Sequence, residues 1–248
     1  MNHALSQLSV QTLATVDRYW VSSLGCPPAY LHEDGIHIVP LPVADDYWGI
    51  LVFRRGAAVV VTVPAVLHTA LEPALRRIRA ADLDDEEAIR ALVEHPIDRI
   101  VGPAYLGYAD RGTFLPMPDP ETRLLQATDA DAVERLRAAC STTDWEHGGS
   151  TAGQQPAVGR FLAGELVALA SWEVWDDTIA HIYVVTHPAH RRRGYGKAVV
   201  SAIAAEALAR GLVPQYRTLE RNLPSVGIAL ALGFRQYATT LAVRLASD

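Results

Sequence analysis

The stretch "HPAHRRRGYGKAVV", His187 to Val200, sets Arg191, Arg192, Arg193 and Lys197 around Gly194 and Gly196 and then runs into an alanine-rich segment. Glycine lets the backbone turn sharply and leaves its amides unobstructed. Beyond Gly196, Val199, Val200, Ile203, Ala207 and Leu208 fall on one helical face, with Gly211 as the stop. The glycines therefore sit at a predicted helix N-terminus, where unpaired amides and the positive end of the dipole favour an anion. The plainer alternative is a glycine turn between strand and helix with solvated arginines. Lys197 argues against it. Among 22 basic residues it is the one lysine, and it stands in the first helical turn, where a cation opposes the dipole unless an anion is bound. Two other phosphate loops are excluded by spacing: Ala198 stands where a Walker loop needs a hydroxyl, and Val199 where a dinucleotide fingerprint needs its third glycine.

The rest of the chain must position that turn. With 248 residues, half of them hydrophobic, there is material for two domains, each with a core. The net charge of −6 lies in the first half: counted from the sequence, residues 1–120 hold 15 acidic and 9 basic side chains, residues 121–248 hold 13 of each. A neutral domain with one short basic turn does not suit a nucleic-acid binder, whose affinity rests on a basic face. Cys26 and Cys140 share no motif spacing, which suggests neither a disulfide framework nor a zinc ribbon. No stretch of 18 apolar residues and no leader-like N-terminus stand out, so a cytoplasmic protein without a membrane partner is expected.

Along the chain, Leu5, Leu8, Leu13, Val16 and Trp20 are spaced for one helical face. "GIHIVPLP" and "YWGILVFRRGAAVVVTVP" read as strands with a hairpin at "RRGA", followed by helical "AVLHTALEPALRRIRA" and "DDEEAIRALVEH" and a strand at "IDRIVGPAYLGYA". Three prolines, Pro116, Pro118 and Pro120, mark "DRGTFLPMPDPETR" as the linker and set the expected domains at 1–117 and 118–248. The second half reads as β-α-β-β-β-α-β-α-β, a mixed α/β fold, with "STTDWEHGGSTAGQQ" as a loop after its first helix.

"HPAHRRRGYGKAVV" resembles the acetyl-CoA-binding motif of the GNAT acetyltransferase superfamily, Arg/Gln-x-x-Gly-x-Gly/Ala, carried here by Arg191, Gly194 and Gly196. "TRLLQATDADAVERL" is similar to that family's first strand and helix, and "ERNLPSVGIALALGF" to its Asn-x-x-Ser/Ala and Gly-Phe phrase at Asn222, Ser225, Gly233 and Phe234; together these cover about residues 120–248. The resemblance implies an acyl-CoA N-acyltransferase fold in the second half. Acetyl-CoA would be the cosubstrate. Its pantetheine arm would lie along the backbone of Val184, Val185 and Thr186 and beside Asn222 and Ser225; its pyrophosphate would meet Arg191, Arg192, Arg193, Gly194, Tyr195, Gly196 and Lys197. The implied reaction is N-acetylation of a primary amine on a small molecule or peptide by direct attack on the thioester.

An alkyl ammonium, with a pKa of about 10, must lose a proton before it attacks. Glu173 and His181, on the second and third strands of this half, are the candidate bases; a histidine in a strand alternating with Ile182 and Tyr183 could simply face a neighbouring sheet or helix. Where many family members carry a tyrosine that protonates the leaving thiolate, this chain has Ala229, which leaves Ser225, Tyr183, Tyr216 or solvent, and keeps open a CoA-binding sensor or assembly module without chemistry. Asp144 and Glu146 could attract a cationic acceptor and Trp145 wall the pocket, or the three could face water. His187 and His190 lack the further ligands zinc needs, so no metal is expected. The first half, with no glycine pair at "VTVPAVLHT", is expected to be a worn copy of the same fold or a separate α/β domain. Closed symmetric dimers being common among soluble proteins, a homodimer is the assembly to look for.

Overall fold

The computed structural model describes residues 7–41, 48–149 and 156–246. Leu5 of the expected first helix and residues 150–155 of the expected loop lie outside them. The first part comprises α1 (Val10–Leu24), β1 (Gly35–Leu41), β2 (Gly49–Arg55), β3 (Ala58–Pro64), α2 (Ala65–Leu75), α3 (Glu86–Leu92) and β4 (Ile97–Tyr108). After it come β5 (Thr122–Leu124), α4 (Ala130–Ala139), α5 (Thr142–Gly148), β6 (Ala157–Leu162), β7 (Glu165–Trp175) and β8 (Ile179–Thr186). The chain closes with α6 (Tyr195–Ala209), β9 (Val213–Leu219), α7 (Leu223–Ala231) and β10 (Arg235–Leu245). This is the mixed α/β fold expected from the sequence.

The chain divides into two compact units, and the division is not the expected one at 117/118. One unit holds residues 1–12, 107–217 and 222–235; the other holds 13–106, 218–221 and 236–248. The proline-rich segment is packed structure in the first unit. Asp110 accepts from the amides of Ser9, Gly112 and Thr113 and from the Thr12 hydroxyl at 2.7–3.1 Å. Burial would raise its carboxyl, but these hydrogen bonds outweigh it and hold the pKa below the ordinary value. Met117 donates its amide to the Ser201 hydroxyl at 2.7 Å. At Gly233, φ is +82° and an added Cβ would overlap the Thr113 carbonyl oxygen, so only glycine lets this segment close on the end of α7.

In the second unit the strands run in the order β1-β3-β2-β10-β4, with β1 parallel to β3 and β2 antiparallel to β3 and β10. The run "AVVVTVP" is buried along its whole length, as a β-branched strand flanked on both edges should be. Its core joins Val59, Val61 and Val63 to Leu75, Leu83, Ile89 and Leu241. The interleaved order β1-β3-β2 differs from the sequential antiparallel meander of the first unit.

That meander is β8-β7-β6-β5, with β9 added beside β8. α4 packs on one face of it, where Leu136, Leu166, Leu169 and Val185 form a core. α6 lies against the other, with Gly196 close to Val184 and Thr186. α6 buries Ala198, Val199, Val200, Ile203, Ala204 and Ala207, a broader arc than one stripe, as small side chains allow. The expected loop at 141–149 contains α5: Ser141 caps it by accepting from the Asp144 amide at 3.1 Å, a signal legible in "STTD".

The packing of residues 107–117 into the first unit gives a direct expectation. A fragment of residues 118–248 lacks Tyr108, Asp110 and Thr113, all buried, and will show no cooperative thermal unfolding by circular dichroism, whereas the full chain will. A sharp transition in the fragment would show that the segment is dispensable.

Candidate active site

β7 and β8 pair antiparallel over eight residues, from Ala168 opposite Thr186 to Trp175 opposite Ile179. On its other side β8 runs parallel to β9, and that ladder has three rungs: Ile179 with Val213, Ala180 with Pro214, and His181 with Gln215. Beyond His181 the two strands part, although β8 continues to Thr186 and β9 to Leu219. Val184, Val185 and Thr186 thus carry backbone groups that the β9 ladder does not take up, and an unpaired backbone amide or carbonyl seeks another partner.

The turn after β8 opens on His187, whose Nδ1 accepts from the Ala189 amide at 3.2 Å. Arg192 and Gly194 then take left-handed backbone conformations, with φ of +63° and +85°. A Cβ at Gly194 would meet nothing, so this glycine is chosen for its backbone. At Gly196 a Cβ would stand 3.0 Å from Thr186 Oγ1 and 3.4 Å from Ile228 Cδ1, so this one lets the helix close on β8. The first helical bond runs from the Ala198 amide to the Gly194 carbonyl at 3.0 Å, which leaves the amides of Tyr195, Gly196 and Lys197 at the positive end of α6.

The basic cluster separates into two kinds. Arg191 is engaged: its guanidinium lies 2.9 Å from Asp144 and 3.3 Å from the Thr186 carbonyl. Arg192, Arg193 and Lys197 are in no ion pair among the described residues. Asp144 is held below its ordinary pKa, first by the hydrogen bond from Ser141 and then by that from Arg191. It fastens α5 rather than standing open to an acceptor. Trp145 packs against the core under α4, and Gly149 lies against its ring. Glu146 is exposed.

Glu173 and His181 face each other directly across the β7–β8 pair, so they share one side of the sheet with Trp175 and Tyr183. Tyr183 donates its hydroxyl proton to Glu173 at 3.1 Å. Burial first, then the charge of Glu173, pushes the Tyr183 phenol up to about 12. The imidazole of His181 is stacked on Trp175 at 4.0 Å and hydrogen-bonded through Nδ1 to Gln215 at 2.5 Å. Burial holds His181 down at about 4; Gln215 opposes the shift and the nearby Arg217 adds to it. His187 and His190 each stand 3.9 Å from a Glu165 oxygen, and no group of three or more His, Cys, Asp or Glu side chains placed to hold a metal ion occurs among the described residues.

Asn222 caps α7 and Ser225 lies 2.9 Å from the Tyr216 hydroxyl. Complete burial pushes that phenol up to about 12. Ala229 is wholly buried, and its methyl side chain has no proton to donate. Gln215 and Trp175 carried no mark in the sequence. Strand alternation could have placed Trp175 beside Glu173; only the register of a parallel pair brings Gln215 to His181.

Residues 158–242, about a third of the chain, match the family model of the GNAT acetyltransferases. That stretch contains the last strands of the meander, the glycine turn, α6 and the parting of β8 from β9. Among solved structures, a GCN5-related N-acetyltransferase from Kribbella flavida is 23% identical, with a TM-score of 0.47 over 66% of this chain and 66% of its own. An acetyltransferase of the GNAT family from Colwellia psychrerythraea is 15% identical, with a TM-score of 0.49 over 65% of this chain and 62% of its own. A Salmonella typhimurium protein bound to its cofactor acetyl-CoA is 20% identical, with a TM-score of 0.38 over 51% of this chain and 93% of its own. The chain thus spans just under two thirds of the Kribbella and Colwellia proteins. No described helix is long and apolar enough to cross a membrane.

The buried imidazole makes stability depend on pH. An unfolded histidine titrates near 6.5 and the folded one at about 4, so between these values the unfolded chain holds the extra proton. His181 therefore contributes fully above about pH 6.5, and stability falls as the pH drops toward 4, by about 3 kcal/mol at most. Urea midpoints at pH 4.5 and 7.5 should differ less in His181→Gln than in the natural protein; equal differences would show that the group titrates normally.

Proposed function

We propose that the protein is an N-acetyltransferase that moves the acetyl group of acetyl-CoA to a primary amine of a small molecule or peptide. The observation that carries this reading is the parting of β8 from β9 beside a glycine turn at which Arg192, Arg193 and Lys197 have no carboxylate partner among the described residues. The pyrophosphate is assigned to the amides at the start of α6 with Arg192, Arg193 and Lys197, and the pantetheine to the freed edge of Val184, Val185 and Thr186, with Asn222 and Ser225 along it. Arg191 supports the turn from behind through Asp144.

The thioester then stands at the fork, with Glu173, His181 and Tyr183 on one side of the sheet. The amine nitrogen bonds to the acyl carbon, the carbon–sulfur bond breaks, and its electron pair leaves on sulfur. One nitrogen proton must also leave. A base that titrates at about 4 does not deprotonate a free alkyl ammonium, but it can accept a proton from the far more acidic nitrogen of the adduct. His181 is assigned that role, and Glu173 the attraction of the cationic amine. The thiolate takes its proton from solvent or from Tyr183, which stays protonated up to about 12.

Calorimetric titration with acetyl-CoA, followed by thiol release against a panel of amines, tests the reading. Binding with release establishes the activity; failure to bind acetyl-CoA sinks it. Replacing Arg193 and Lys197 together with alanine should weaken binding roughly tenfold or more, since each charge-assisted contact contributes about 1.5–3 kcal/mol. Because His181 is neutral above about 4, kcat/KM should climb with pH toward the acceptor's own pKa, with no separate inflection near 6.5. An inflection there that vanishes in His181→Gln would show an ordinary, solvated histidine.

A further inference from the structure

The last rung between β8 and β9 is also joined through its side chains. His181 Nδ1 meets Gln215 Oε1 at 2.5 Å, and Gln215 Nε2 donates onward to the Tyr108 hydroxyl at 2.6 Å. Gln215 and Tyr108 are 0% exposed and His181 8%. An amide oxygen only accepts, so with the Gln215 amide oriented as in this structure, its nitrogen on Tyr108 and its oxygen on the imidazole, His181 carries its proton on Nδ1. That leaves the lone pair on Nε2, which has no partner among the described residues. The Trp175 ring, inclined by 11° to the imidazole, fixes its plane. Neutral imidazole in water prefers the opposite tautomer, with the proton on Nε2, so the preference is imposed by this chain of contacts.

We propose that Gln215, anchored by Tyr108, is a positioning residue that holds His181 as its Nδ1–H tautomer and so presents the Nε2 lone pair to the attacking nitrogen. The proposal rests on the assignment of His181 as the base. The proton balance is simple: the surplus proton on the nitrogen bonded to the acyl carbon passes to Nε2, and the resulting imidazolium keeps its Nδ1–H bond to Gln215. No side chain has to turn. The imidazolium then returns the proton to solvent. The charged or titratable groups around the imidazole are Glu173 on β7, Tyr183 on β8, Arg217 on β9 and, through Gln215, Tyr108 on β4. Glutamate at 215 would still accept from Nδ1–H, whereas leucine would not.

The test uses the full chain labelled with ¹⁵N-histidine, with the His181 signals identified by their loss in His181→Gln. The expected ¹⁵N shifts show an Nδ1–H tautomer in the natural protein and in Gln215→Glu, and a change toward Nε2–H in Gln215→Leu. Tyr108→Phe, which frees the glutamine amide to turn over, serves as a second variant if Gln215→Leu does not fold. In acetylation assays Gln215→Leu should lower kcat roughly tenfold or more with the KM for acetyl-CoA unchanged, and Gln215→Glu should restore most of it. An Nε2–H tautomer in the natural protein, or a tautomer indifferent to both Gln215→Leu and Tyr108→Phe, overturns the proposal. So does a lost tautomer with kcat intact. If instead the tautomers follow expectation but His181→Gln turns over normally, the assignment of His181 as base fails, and the catalytic part of the proposal falls with it.

Discussion

The end of the ladder between β8 and β9 is the constraint on which the site depends. Two parallel strands that hydrogen-bond for three rungs and then separate expose a row of backbone donors and acceptors inside the fold. Such groups are costly to leave unmade, and a ligand with amide groups of its own can take them. The fork cannot open further without breaking a buried contact, because its last rung is fastened by side chains: His181 and Gln215 are buried and bonded to each other. Up to that rung the strands are paired with each other; beyond it they run on without that ladder.

A strand deprived of one neighbour needs other support, and β8 receives it from both faces. At Gly148, the last residue of α5, an added Cβ would overlap the Val184 carbonyl oxygen, so the helix lies directly on the strand backbone. On the opposite face α6 comes equally near, with Gly196 against Thr186. Two glycines at helix ends, one on each side, let backbone meet backbone where larger side chains would hold the helices off. Between them Val184, Val185 and Thr186 keep an extended course without the β9 ladder. Preorganisation of this kind lowers the cost of fixing a flexible ligand, because the protein has little left to order.

The glycine turn, the helix it opens and the strand before it were legible in the sequence, because each depends on local chemistry: glycine's permitted backbone, the dipole's sign, the alternation of Ile182 and Val184. The family's phrase around Arg191, Gly194 and Gly196 placed them in one motif. Less could be read where the outcome depends on distant partners. The proline-rich stretch looked like a linker since prolines cannot join a ladder, yet Asp110, Thr113 and Met117 bind it into the first unit. α5 looked like a loop because its seven residues are mostly polar and end in glycine, although Ser141 already supplied the cap. Gln215 was invisible, since an isolated strand glutamine carries no pattern, and its meaning lies in the rung it occupies.

The basic cluster shows why residue type and spacing alone do not apportion roles. Four cations within seven positions invite a single explanation, but the backbone sends them in different directions. Arg191, extended, reaches back to Asp144 and the Thr186 carbonyl and so ties α5 to the mouth of the turn. Arg192 takes a left-handed conformation that an arginine adopts at a cost, which carries the chain round toward Gly194. Lys197 sits in the first turn of α6, where its charge and the dipole repel each other. A structure with no use for positive charge there would gain by losing both features. The sum of a strained arginine, a lysine in no ion pair among the described residues and three uncommitted amides is unfavourable for the bare turn and favourable once an anion stands among them, and this is why the proposed reading seats the pyrophosphate there.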